Sequence, residues 1–150
     1  MKRRKLAVIG GFGVIAIVIA LAAGRYSHLR CTTVQGKDAI EISLARLMRG
    51  TANFFCYRDS AGEKLRFLLT RGEDGTVRSV MDACRQCYAF HKGYRISGDY
   101  LICGLCGTRY RLKEMQAGKA SCVPVSLPFK QNGENVQVKV ADLEKWRSLF

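Results

Sequence analysis

The sequence predicts a mainly β protein, a small antiparallel sandwich or barrel with a four-cysteine site on two hairpin knuckles, preceded by one transmembrane helix. Three observations predict this. Two Cys-x-x-Cys pairs, Cys84/Cys87 and Cys103/Cys106, stand fifteen residues apart. Short runs rich in β-branched and aromatic residues recur between Gly- and Asp-bearing turns. An uncharged stretch of eighteen residues, 6–23, follows a cationic cap of four.

The cap is Lys2, Arg3, Arg4 and Lys5, and the apolar stretch behind it is just long enough to cross a bilayer. Cations on its leading side place the N-terminus in the cytoplasm and everything after Arg25 outside it. A cleaved signal peptide is the rival, because Leu21 to Gly24 offers small residues near its end. The adjacent Arg3 and Arg4 loosely match a twin-arginine export signal, a pattern that a plain topology cap also produces. Residues 1–26 therefore read as cap and anchor, 27–37 as a connector, and 38–150 as one β domain. A chain of 150 residues has room for one such core and little more.

Within the domain, Ala39 to Leu44 alternates as a strand does, with Leu44 to Met48 fitting one helical turn. Ala52–Tyr57, Lys64–Thr70 and Thr76–Met81 follow as strands, separated by turns at 59–62 and 72–75. Their phenylalanines and Tyr57 read as core. Tyr94–Ile96 and Tyr100–Ile102 are β-prone and flank Ser97, Gly98 and Asp99, which carry turn chemistry, so the segment between the knuckles reads as a hairpin. Thr108–Leu112 is another strand candidate, and 113–119 a loop or helical turn. Pro124 and Pro128 bar the segment 122–128 from a central strand and suggest an extended rim near the site. Val136–Val140 alternates as an edge strand, and Asp142 is placed to cap a short final helix.

The 25 Lys and Arg against 12 Asp and Glu concentrate at the N-terminus, where residues 1–30 hold six cations and no acid. The remaining 19 basic and 12 acidic residues leave a net +7. That favours an acidic partner or an anionic membrane surface, but no basic run is interleaved with aromatics, which excludes a nucleic-acid groove. His28 and His91 are the sole histidines, and neither lies in a nucleophile or metal-helix motif, so no independent catalytic turnover is expected.

Two thiolates on one tight turn grip one face of a metal, and two such turns close a four-sulfur shell: Cys84, Cys87, Cys103 and Cys106. Zinc and an oxidised [2Fe–2S] core both leave a net −2 inside four thiolates, so spacing does not separate them. Two disulfides are the bland alternative in an oxidising compartment. Arg85, Lys92, Arg109, Arg111 and Lys113 lie near the knuckles in sequence and would offset the charge, or else form a solvated basic face. Seven cysteines leave an odd sulfur. Cys31 is a candidate partner for Cys56 or for Cys31 of another chain, with a free thiol as the bland outcome. Cys122 is a candidate fifth ligand or redox thiol.

The run from Val80 through Cys84-x-x-Cys87, Lys92 to Arg95, Gly98 to Cys103-x-x-Cys106-Gly107, and then Cys122-x-Pro-x-x-Leu127-Pro resembles the bacterial membrane iron–sulfur-containing family associated with ferrous-iron uptake permeases. The likeness covers roughly residues 38–140. It implies an electron-transfer component with an iron–sulfur cluster, [2Fe–2S] in this reading, in the bacterial inner membrane with its domain in the periplasm. Its partners would be a membrane permease or a redox protein of a high-affinity iron-transport or respiratory system, with no small-molecule substrate. The implied ligands are Cys84, Cys87, Cys103 and Cys106, with Cys122 as fifth member or close neighbour.

The order of elements is also similar, by analogy, to a Rieske-type domain, where two loops each offer Cys and His. Here each loop offers two Cys, so a cluster would have the lower potential of all-thiolate ligation. His91 would be the residue to restore a histidine ligand, but four cysteines already complete the shell. The competing reading is a structural zinc- or copper-binding domain acting as a binding or assembly module. A thiol–disulfide oxidoreductase is disfavoured because neither knuckle opens the helix that such an active site needs.

Overall fold

In chain order the strands begin with β1 (Thr32–Val34), β2 (Ala39–Ser43), β3 (Ala52–Arg58), β4 (Lys64–Arg71), β5 (Val77–Cys84) and β6 (Tyr94–Ser97). They continue with β7 (Tyr100–Cys103), β8 (Arg109–Arg111), β9 (Pro124–Ser126), β10 (Lys130–Asn132) and β11 (Asn135–Lys139). The computed structural model describes residues 31–115 and 122–150, so the expected anchor lies outside the described residues. No helix among the described residues is long and apolar enough to cross a membrane. Cys31–Phe150 form one unit.

A five-stranded sheet, ordered β1-β3-β4-β5-β9, is the frame. Its middle is an antiparallel meander in which Phe55 opposes Phe67 and Phe67 opposes Met81. Side chains of β4 alternate between two clusters: Leu65, Phe67 and Leu69 join one, and Leu68 joins the other. The first cluster fills the space against Ile40 and Ile42 of β2 and Val136 and Val138 of β11, with Phe55 stacked on Phe67 at 5.4 Å. The second cluster joins Leu68, Val80 and Cys84 to Tyr94, Leu101, Cys103 and Tyr110 of the sheet β6-β7-β8. Both faces of the central sheet are therefore covered, which is why four successive β4 residues, Phe67 to Thr70, are all buried.

The mainly β, largely antiparallel class expected from the sequence is present, and the hairpin between the knuckles turns at Gly98 with φ of 55°. Four features differ from the sequence reading. The connector contains β1, which pairs with β3 in parallel; the two strands are tied by the Cys31–Cys56 disulfide, one of the expected pairings, with Cα atoms 5.6 Å apart. The third strand of the meander runs on to Cys84, so the first knuckle cysteine ends a strand. The expected edge strand near Val136 is β11, the middle of the sheet β10-β11-β2, because the polar, exposed β10 has no alternation to announce it. The last helix, α1 (Val140–Glu144), has Lys139 at its N-cap, and Asp142 sits inside its first turn without a side-chain capping bond.

Candidate metal centre

Alternation along β5 decides which side chains meet. Val77, Met81 and Ala83 face the first core, while Val80 and Cys84 face the second, and Asp82 shares their parity. Cys84 thus ends its strand with its sulfur toward the hairpin sheet. The chain then turns tightly: the N–H of Cys87 donates to Cys84 Sγ at 3.2 Å. A 3-10 turn at Tyr88–Phe90 follows, and His91 and Gly93, at φ of 50° and 57°, reverse the chain into β6.

The second knuckle leaves β7 at Cys103. Its N–H donates to the Thr108 carbonyl at 2.9 Å, and the N–H of Gly107 donates to the Cys103 carbonyl at 3.1 Å. The β6/β7 pairing runs one step beyond its strands into the second knuckle, since the N–H of Gly104 donates to the Gly93 carbonyl at 2.8 Å. A Cβ on Gly104 would come within 2.7 Å of the Lys92 carbonyl oxygen, so glycine is what permits this approach.

A third segment completes the site. Pro124 pairs with Cys84 in the ladder, and the N–H of Arg85 donates to the Val123 carbonyl at 3.4 Å. The Tyr110 hydroxyl donates to the Cys122 carbonyl. These bonds seat Cys122 Sγ 2.8 Å from Cys84 Sγ, 3.1 Å from Cys106 Sγ and 3.7 Å from Cys87 Sγ. The sulfurs of Cys84, Cys87, Cys103 and Cys122 all lie within 4.8 Å of one another. Cys84, Cys103 and Cys122 are buried, Cys87 is half-buried and Cys106 is exposed.

Burial and hydrogen bonding act in opposite directions on these sulfurs. Burial pushes the Cys87 thiol up to about 12 and pushes Cys122 up as well. Burial also opposes ionisation of Cys84, but hydrogen bonds from Cys122 and from the Cys87 and Gln86 N–H groups outweigh it and bring Cys84 down. The Thr108 hydroxyl, with Cys122, lowers Cys106 to about 6. Sulfurs packed this closely ionise together only around a cation. The Tyr94 hydroxyl is buried beside them without a hydrogen-bond partner among the described residues, a donor that a sulfur centre could use. The donor set is all soft thiolate within an apolar cluster, which fits zinc, copper(I) or an iron–sulfur cluster.

Asp82, fully buried, is a residue that sequence reasoning missed. It accepts the Tyr94 N–H at 2.6 Å and pairs with Arg66 at 2.6 Å, with burial raising its carboxyl to about 7 against the opposing effects of Arg66 and Tyr94. The signal was its even spacing from Cys84. A cavity of about 250 Å³ opens beside it, lined by Cys84, Cys87, Cys103, His91 and Lys92. His91 is exposed there. Of the basic residues near the knuckles, Arg85 lies over the Trp146 ring at 5.8 Å and Arg111 over Tyr100 at 5.9 Å. Lys113 lies 4.0 Å from Glu114.

A β scaffold that brings four cysteine sulfurs within 4.8 Å of one another, with a fifth 3.1 Å from one of them, defines a protein built around a thiolate metal centre. The family model described as membrane iron-sulfur containing protein, FtrD-like, matches residues 47–150. The chain belongs to that family of iron–sulfur proteins. No curated protein matches it. Among solved structures it is similar to the quaternary ammonium Rieske monooxygenase CntA in complex with an inhibitor, at 17% identity and a TM-score of 0.42. That likeness covers 68% of this chain and 31% of the monooxygenase, so the chain spans about a third of that protein's length.

Proposed function

We propose that this chain is a membrane-anchored iron–sulfur electron-transfer component serving a high-affinity iron-transport or respiratory system. The observation that carries the reading is the convergence of four cysteine sulfurs in a member of an iron–sulfur family. Residues 1–26 anchor the chain in the bacterial inner membrane with the N-terminus in the cytoplasm. The connector 27–37 then leads to a periplasmic domain whose partner is a membrane permease or a redox protein.

When bound, an iron–sulfur cluster, [2Fe–2S] in this reading, supplies reversible one-electron chemistry. The chain's own residues do the rest. Cys84, Cys87 and Cys103 offer three sulfurs to a four-thiolate centre, and Cys106 and Cys122 are the two candidates for the fourth. Leu68, Val80, Tyr94 and Leu101 exclude water from its inner side. The Cys87 N–H and the Thr108 hydroxyl lie against sulfur at 3.2 Å each, where hydrogen bonds tune a thiolate's charge.

A second reading, a structural zinc or copper site in a binding module, is favoured by one distance. Sulfurs within 4.8 Å of one another approach the ~3.8 Å edge of a tetrahedron with ~2.3 Å metal–sulfur bonds. The deciding measurement is iron, acid-labile sulfide, zinc and copper content with a visible spectrum, on the full chain purified anaerobically in detergent. Iron with sulfide, and absorption that bleaches with dithionite, is the expected result. A colourless protein holding one zinc would overturn the electron-transfer reading.

A further inference from the structure

The two knuckles alone do not account for the arrangement of sulfurs. We propose that Cys122 completes the four-thiolate shell with Cys84, Cys87 and Cys103, and that Cys106 stands beside it as a solvent-reachable spare thiol. This rests on the reading of the site as a thiolate-held metal or cluster centre. It departs from the pairing of both Cys-x-x-Cys motifs that spacing suggests.

Three observations carry it. The four mutually close sulfurs are those of Cys84, Cys87, Cys103 and Cys122, and Cys106 is not among them. Burial divides the five in nearly the same way: Cys106 is exposed, whereas Cys122 is 6% exposed and packs in the apolar cluster that holds Cys84 and Cys103. Cys122 is also held from several sides, by the Pro124 and Cys84 ladder pair, by the Arg85 N–H on Val123 and by the Tyr110 hydroxyl on its own carbonyl. A spare thiol at Cys122 would instead place a neutral S–H 2.8 Å from Cys84 and 3.1 Å from Cys106, in the space a metal needs between the knuckles. A buried donor set is the one from which water is already excluded, so it holds the metal with the least competition from solvent.

The test is differential alkylation of the full chain, purified anaerobically with its metal and assayed for metal content in the same sample. Native protein is pulsed with iodoacetamide, unfolded with chelator and reductant, labelled with the isotopically heavy reagent and mapped by mass spectrometry. Cys106 is expected to react at least roughly tenfold faster than Cys84, Cys87, Cys103 and Cys122, because thiol reactivity follows exposure and coordinated sulfurs are blocked. Cys106→Ser is expected to keep its metal per chain and its spectrum, and Cys122→Ser to lose both.

A metal-loaded chain in which Cys106 is protected as well as the other four, or in which Cys122 is the reactive one, overturns the ligand assignment alone. A chain with no bound metal overturns the underlying reading and this inference with it. The alkylation pattern of the unaltered sequence decides the assignment whether or not Cys122→Ser folds.

Discussion

Arg66 and Asp82 meet at 2.6 Å on the face of the central sheet that carries Cys84, one step beyond the Phe67 and Met81 pair of the β4/β5 ladder. The Asp82 side chain is fully buried and that of Arg66 is 18% exposed, and the same carboxylate receives the N–H that opens β6. It thereby fixes the approach of the hairpin sheet to the strand that bears the first ligand. Asp82→Ala is expected to cost about 2–3 kcal/mol in urea unfolding, below the range for a fully dry pair because Arg66 keeps contact with solvent. It should also lower metal content. Asp82→Asn, which retains an acceptor for Tyr94, should lose less of both.

Gly104 lets the second knuckle approach the loop that leads from the first into β6. Its alanine variant would put a methyl 2.7 Å from the Lys92 carbonyl oxygen, so the backbone must separate at that point. Gly104→Ala is expected to reduce bound metal per chain severalfold while far-ultraviolet circular dichroism stays β-like. Metal analysis and the spectrum of the purified variant check it.

The disulfide between Cys31 and Cys56 closes a sequence separation of 25 residues and pins β1 to β3. Cys31→Ser combined with Cys56→Ser is expected to destabilise the domain by roughly 3 kcal/mol through the freer unfolded chain. A thermal melt with and without reductant checks this: the wild type should shift and the double variant should not.

Phe67 is fully buried and stacks on Phe55 where the central sheet meets β2 and β11. Phe67→Ala is expected to cost about 3–5 kcal/mol, the transfer energy of the ring plus the cavity it leaves. Denaturant unfolding with an unchanged slope would confirm a pure stability loss.

The turn between β4 and β5 carries the pH dependence most cleanly. Asp74 accepts the Thr76 N–H at 3.0 Å, and this bond, helped by the Thr76 side chain, holds its carboxyl below the ordinary value of 3.8. A depressed folded value means a contribution present above the unfolded value and lost as pH falls through the folded one. Asp74→Ala should therefore be less stable than wild type at neutral pH, with the gap in urea midpoint closing as the pH falls from about 5 through the carboxyl's lowered folded value. An unchanged gap across that range would contradict the assignment.

Several elements were legible because their determinants are local. The alternation of residues 39–43, the turn at Ser97–Asp99 and the two cysteine spacings each follow from neighbouring residues, and the structure shows strand β2 and hairpin β6/β7 there. The strand β10 and the central place of β11 were not legible, because a polar strand is recognised only by the partner it pairs with. Parallel pairing of β1 with β3 is likewise a long-range choice that no local pattern encodes.

The sequence by itself determined the chemistry: a soft all-sulfur donor set, two knuckles to present it, and a hairpin of the right length between them. Tertiary structure alone decided the geometry. The ladder between β5 and β9, with the Tyr110 hydroxyl on the Cys122 carbonyl, carries a sulfur 38 residues from Cys84 to within 2.8 Å of it. Burial then left Cys106 facing solvent. Spacing along a chain constrains only sulfurs on the same turn, and which of five meet at one point depends on how the sheets pack.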